Sequence, residues 1–141
     1  MKIVLDSNIL FSALISGKEL YVDIFRSLEC YVPDFIFTEL SKYQEKIIKK
    51  TKLEGEFISF AKELFSEITA IPSLAVSQES YGKALVLCND IDPKDTAYVA
   101  LSIELDIPLW SNDKKLIQGL MNKGYEKIVT TEEIFEITLL K

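Results

Sequence analysis

Histidine is absent from this 141-residue chain, and that absence removes the Ser-His-Asp triad, imidazole acid-base catalysis and zinc centres built on imidazole. Any chemistry falls to carboxylates, with hydroxyls and amides in support. Cysteine is scarce: Cys30 and Cys88 lie in apolar surroundings without Cys-x-x-Cys spacing, so they read as buried reduced thiols rather than a bridge or a zinc site. A Gly-rich phosphate loop is missing, which weighs against a nucleotide-binding enzyme. Repeats, linkers and low-complexity tracts are missing too. No apolar run approaches the roughly 20 residues that span a bilayer. The first residues, Met1 to Leu5, meet a carboxylate at Asp6, too early for a signal peptide. A cytoplasmic protein without a membrane partner is the expectation.

What is present suits one ordinary domain, residues 1–141, long enough to bury a core without metal or disulfide staples. Hydrophobic residues make up 48% and charged residues 27% of the chain, the balance of a soluble globular protein. The net charge is -6, from 22 acidic and 16 basic residues, which by itself repels phosphates. A divalent cation in an acidic pocket inverts that field locally.

Five short apolar runs read as strands: Lys2 to Leu5, Cys30 to Val32, Thr69 to Ile71, Ile107 to Trp110 and Lys127 to Val129. Helical periods fill the intervals over Asn8 to Ile15, roughly Glu19 to Leu28, Pro33 to about Lys50, Leu53 to Ile68, Gln78 to Cys88, Lys94 to Leu105, after Asp113 to Met121, and Thr130 to Leu140. Pro33 is expected in the first turn of its helix, where a missing N–H costs nothing. Thr130 and Glu133 have the spacing of a capping box. Short strands alternating with helices call for a parallel sheet covered on both faces, with ligands bound at the carboxyl ends of the strands.

Four acidic residues sit where such a site would form. Asp6 ends the first strand and Asp113 lies three residues past Trp110; Asp95 opens the helix after Asp92-Pro93; Glu39 falls in the second turn of its helix. Each also has a plain structural use. Asp6 or Ser7 can cap one helix and Ser111 or Asn112 another, Asp92-Pro93-Lys94-Asp95 describes a well-capped start, and Glu39 suits a solvated helix face. Their chemistry as a set is more specific: magnesium and manganese prefer hard oxygen ligands, and carboxylates that close together need a cation.

In this arrangement the chain resembles the PIN-domain family, metal-dependent nucleases that include the VapC-like toxins. The resemblance covers almost the whole chain. Ile3 to Leu10 carries the first motif with Asp6, Ser7 and Asn8; Pro33 to Leu40 the second with Glu39; Asp92 to Leu101 the third with Asp95 and an accessory Asp92; and Leu109 to Asp113 the fourth with Ser111 and Asp113. It implies a three-layer α/β/α PIN-like domain with a central, mainly parallel sheet of about five short strands. Further implications are Mg²⁺ or Mn²⁺ dependence, RNA as substrate, and a homodimer. Asp6, Glu39, Asp95 and Asp113 would then be the catalytic metal ligands, supported by Asn8, Ser111, Asn112 and Asp92.

The lysines Lys42, Lys46, Lys49, Lys50 and Lys52 form the one basic cluster. They read either as a solvated face or, for Lys42, Lys46, Lys49 and Lys50, as a guide for a phosphate backbone. Phe35, Phe37, Tyr43, Phe57, Phe60 and Phe65 recur at helical spacing and read as core rather than stacking platforms. The leading expectation is a divalent-metal-dependent endoribonuclease, either a toxin paired with an antitoxin protein or an RNA-processing enzyme. The rival is a PIN-like RNA- or protein-binding module without turnover. A receiver domain fits poorly, because the first strand ends in Asp6-Ser7 and the third in Ile71-Pro72, and a dehalogenase-type phosphatase would want Asp-x-Asp where Asn8 stands.

Overall fold

A computed structural model describes residues 1–139. The alternation read from the sequence is there: β1 (Lys2–Leu5), α1 (Ser7–Ser16), α2 (Glu19–Ser27), β2 (Glu29–Pro33), α3 (Phe35–Lys50), α4 (Phe57–Ser66) and β3 (Ile68–Ile71) form the first half. The second half runs α5 (Gln78–Cys88), α6 (Thr96–Leu105), β4 (Leu109–Trp110), α7 (Lys114–Asn122), β5 (Ile128–Val129) and α8 (Thr131–Leu139). The expected last residue of the terminal helix, Leu140, lies outside the described residues. Short 3-10 turns at Glu54–Glu56, Ser73–Ala75 and Pro93–Asp95 complete the regular structure of the described residues.

Among the described residues the five strands form one sheet in the order β3-β2-β1-β4-β5, and every pairing is parallel. The sheet is therefore wholly rather than mainly parallel. Consecutive strand residues Ile3, Val4 and Leu5 are all buried, as expected where helices cover both faces. The helices pack in two groups, α1 with α3 and α4 and α2 with α4, and separately α5 with α6 and α7. In α6, Tyr98 through Ser102 are buried on every side of the helix, so this segment runs through the core rather than along its surface.

The topology fixes where a ligand can sit. From β1 the chain winds one way to β2 and β3, then returns to lay β4 on the other side of β1. That reversal leaves a crevice at the carboxyl ends of β1 and β4.

Three local expectations need correction. Pro33 is the last residue of β2, paired with Ile71, not the first turn of α3. The sheet tolerates it because β1 pairs with β2 only as far as Tyr31, so no ladder bond on that side requires its N–H. The stretch from Leu53 to Ile68 is a 3-10 turn followed by α4, and Ile68 belongs to β3. Leu53 instead closes over Gly17, the left-handed cap of α1 (φ 64°), where a Cβ would stand 2.3 Å from Leu53 Cγ. The cap of α7 is Asp113 rather than Ser111 or Asn112. The Thr130–Glu133 capping box forms as read, with Glu133 N donating to Thr130 Oγ1 at 3.2 Å and Thr130 N to Glu133 Oε1 at 3.3 Å. Cys30 and Cys88 are buried free thiols.

Candidate active site

Asp6 is the first residue past β1, and its extended backbone (φ -73°, ψ 154°) lets the side chain turn back to cap α1. Its Oδ1 accepts from Ser7 N at 2.9 Å, and its Oδ2 accepts from Ser111 Oγ at 2.6 Å. Ser111, fully buried after β4, also accepts from Asp113 N at 3.0 Å. One hydroxyl thus ties the ends of β1 and β4 together across the crevice. Asn8 reinforces the link, its Nδ2 donating to Ser111 Oγ and its Oδ1 accepting from Asn112 N, each at 3.4 Å. Asp113 caps α7, accepting from Leu116 N at 3.1 Å. Capping and facing the crevice are compatible: Asp6 and Asp113 do both.

Asp95 ends the 3-10 turn that begins at Pro93, and Asp92 caps that turn by accepting from Lys94 N at 3.0 Å. Asp95 is 9% exposed, and its Oδ2 has no hydrogen-bond partner. Glu39, 8% exposed on α3, accepts a hydrogen bond from the Tyr98 hydroxyl of α6.

These side chains share one cleft of 410 Å³, lined by Asp6, Glu39, Asp92, Asp95 and Asp113 together with Asn8. Its other wall is apolar and basic: Phe11 meets Tyr43 edge-on at 5.7 Å, and Lys46, Lys50 and Lys94 complete the rim. Of the lysines singled out in the sequence, Lys46 and Lys50 line the cleft while Lys42 and Lys49 do not. The helix explains the split, because Glu39, Tyr43, Lys46 and Lys50 fall within one face of α3 at 100° per residue and Lys49 turns off it. Of the aromatics expected in the core, Phe60 is buried and Phe35, Tyr43, Phe57 and Phe65 pack partly buried against it; Phe37 is the exception, at 51% exposed, and Tyr43 also lines the cleft. Asn112 is exposed and its side chain is taken by Thr131 Oγ1, so it supports the crevice from outside.

The electrostatics follow from crowding like charges where water is scarce. Burial pushes Asp95 up to about 8, with Asp6, Asp92, Asp113 and Glu39 adding repulsion. Burial likewise lifts Asp6 to about 6, against the lowering effect of its Ser111 and Ser7 hydrogen bonds. Glu39 is raised chiefly by burial, while the Tyr98 bond, Lys94 and Lys42 act in the opposite direction.

The sequence as a whole matches the family described as PIN domain over residues 4–133, nearly its full length. The chain belongs to the PIN-domain family. No curated protein compared with it matches. PIN domains are generally nucleases and typically use divalent metals, so the cleft of this PIN domain can be tested for fit to such an ion. Among the described residues no three Asp, Glu, Cys or His side chains stand close enough to clasp an ion as they are. The donor set nevertheless suits a hard cation: all oxygen, no imidazole or free thiol in the cleft. The unpartnered Asp95 Oδ2 and the carboxylates raised by burial and, secondarily, by one another's charge are what a cation would satisfy.

Two residues of the cleft region escaped the sequence reading. Lys94 was visible only as a link in the Asp92–Asp95 cap. Tyr98 carried one signal, a phenol three residues after Asp95 on an otherwise small and aliphatic helix segment, Ala97 and Val99 to Leu101.

Proposed function

We propose that this PIN domain is a divalent-metal-dependent endoribonuclease. The observation that carries the reading is the convergence of Asp6, Glu39, Asp95 and Asp113, from four separate elements, on one cleft at the sheet's switch point. Held by those four residues, Mg²⁺ or Mn²⁺ would supply charge stabilisation for a phosphodiester and a water acidic enough to attack it.

The chain's own residues account for the rest. Ser111 fixes Asp6 and the backbone of Asp113, so the two strand-end carboxylates keep a constant separation. Lys46, Lys50 and Lys94, which border the cleft, would attract the backbone phosphates next to the scissile one. Asp92 adds negative charge behind Asp95. Phe11, Ile15 and Ile47 give the cleft an apolar wall beside the carboxylates. No step needs histidine.

A toxin role adds an antitoxin and a homodimer. It is favoured by a second, apolar groove of 260 Å³ between α1, α3 and α4, lined by Leu14, Phe37, Leu40, Phe57 and Phe65, with Phe37 half exposed. Such a surface is suited to a partner. A small neighbouring gene whose product co-purifies with the chain supports the toxin; its absence favours RNA processing.

The test of the nuclease reading is cleavage of mixed RNAs with Mg²⁺, Mn²⁺ or EDTA, beside the folded Asp113→Asn protein. Cleavage that needs metal and disappears in the variant supports the reading. Intact RNA under all conditions leaves the rival binding module, and cleavage by the variant removes Asp113 from the site.

A further inference from the structure

Tyr98 is completely buried in α6, in a segment whose neighbours Val99, Ala100 and Leu101 are apolar and equally buried. Packing alone at such a position is satisfied by phenylalanine. A phenol hydroxyl there must find a partner or lose its hydration without return, and its partner is Glu39 Oε1, 59 residues away on α3.

The ring is gripped from the same helix. Phe35, four residues before Glu39 and so on the same face of α3, packs against Tyr98 at 6.4 Å with the planes 67° apart. On the other side, Tyr98 stands three residues after Asp95, near the same face of its own helix. One side chain therefore couples the helix of Glu39 to the helix that presents Asp95. Glu39 Oε1 can only accept when ionised, so the Tyr98 hydroxyl is the donor of this bond.

We propose that Tyr98 is a positioning residue for Glu39: its hydroxyl engages Oε1 and leaves the second oxygen to face the cleft as a single-oxygen metal ligand. The inference rests on the metal-dependent reading above. Lys94, on the rim of the cleft, and Lys42, outside it, both act on Glu39 electrostatically and are the alternative partners to which an unrestrained carboxylate would turn. Outer partners of this kind hold a ligand in the geometry a metal requires.

Mn²⁺ titration by calorimetry on the full chain tests this without turnover. The set is the unsubstituted protein, Tyr98→Phe, Glu39→Gln and the double variant, each checked for cooperative thermal unfolding. Tyr98→Phe is expected to weaken Mn²⁺ binding roughly tenfold, in the range typical of lost outer partners, and to do so by less than about twofold when Glu39 is already Gln. Equal Mn²⁺ affinity in Tyr98→Phe and the unsubstituted protein overturns the proposal while leaving the metal site standing. An equally large loss in the Glu39→Gln background also overturns it, by tracing the effect to the core. If Tyr98→Phe does not unfold cooperatively, Tyr98→Leu, which also lacks the hydroxyl, serves with its own Glu39→Gln double variant and the same two overturning results. An unsubstituted protein that binds no Mn²⁺ removes the metal reading and this proposal together.

Discussion

Replacing Asp95 by Asn should make the metal-free protein more stable, not less. Burial and four neighbouring carboxylates raise Asp95 from 3.8 to about 8, so the folded state holds a proton that the unfolded state has lost by neutral pH. For a carboxyl whose folded pKa lies above its unfolded one, stability is undiminished below about pH 4, falls as pH rises, and levels off above about 8. At pH 7 the full difference amounts to about 4 kcal/mol. The cleft opens to water and counter-ions, and that screening reduces the expected figure to about 2 kcal/mol.

Asn keeps the shape and has no charge to lose. In EDTA at pH 8, Asp95→Asn should melt about 6 °C or more above the unsubstituted protein, with the gap closing towards pH 4. Added Mn²⁺ should reverse the order by stabilising the unsubstituted protein and leaving the variant unmoved. Differential scanning calorimetry at pH 4.5, 7 and 8 reads both effects. A variant less stable than its parent in EDTA at pH 8 would be the opposite of this expectation, because it would mean that Asp95 is satisfied by partners other than a cation.

Ser111→Ala removes the 2.6 Å bond to Asp6 and the acceptor of Asp113 N, so it should cost about 1–3 kcal/mol in chemical denaturation and reduce cleavage. Lys46→Ala or Lys50→Ala should flatten the salt dependence of single-stranded RNA binding by about 0.7 per lost phosphate contact. Lys49→Ala, off the cleft face, should leave that slope unchanged in the same fluorescence titration. Gly17→Ala should destabilise by roughly 1–3 kcal/mol, because the left-handed backbone and the nearby Leu53 side chain both oppose a Cβ. Gly82→Ala, in open space on α5, should stabilise by about 0.5–1 kcal/mol in the same melts.

The strands and most helices were legible because their cause is local: apolar runs bounded by Gly, Pro, Asp and Asn, with a change of period between them. The misreadings fall where a neighbour decides. Pro33 could join β2 only because β1 had already stopped pairing, and Ile68 left the helical period because β2 offered it a strand partner. Asp6 and Asp113 could be placed from strand ends alone, since a parallel sheet dictates which end carries the site. Glu39 could not. A mid-helix glutamate in an acidic chain has no local mark, and only its tertiary neighbours, Tyr98 above all, set it apart. The same limit applied to the lysines, where composition showed a cluster but helix phase selected Lys46 and Lys50.

On the proposed reading, four carboxylates brought together by the switch in strand order form one divalent-cation site. Crystals grown with Mn²⁺ and measured at the manganese absorption edge test it most directly. The expected result is an anomalous peak in the cleft within about 2.0–2.6 Å of carboxylate oxygens that include those of Asp6 and Asp95, and loss of that peak in Asp95→Asn. A cleft without anomalous signal at saturating Mn²⁺, or a peak held by residues elsewhere, would contradict it.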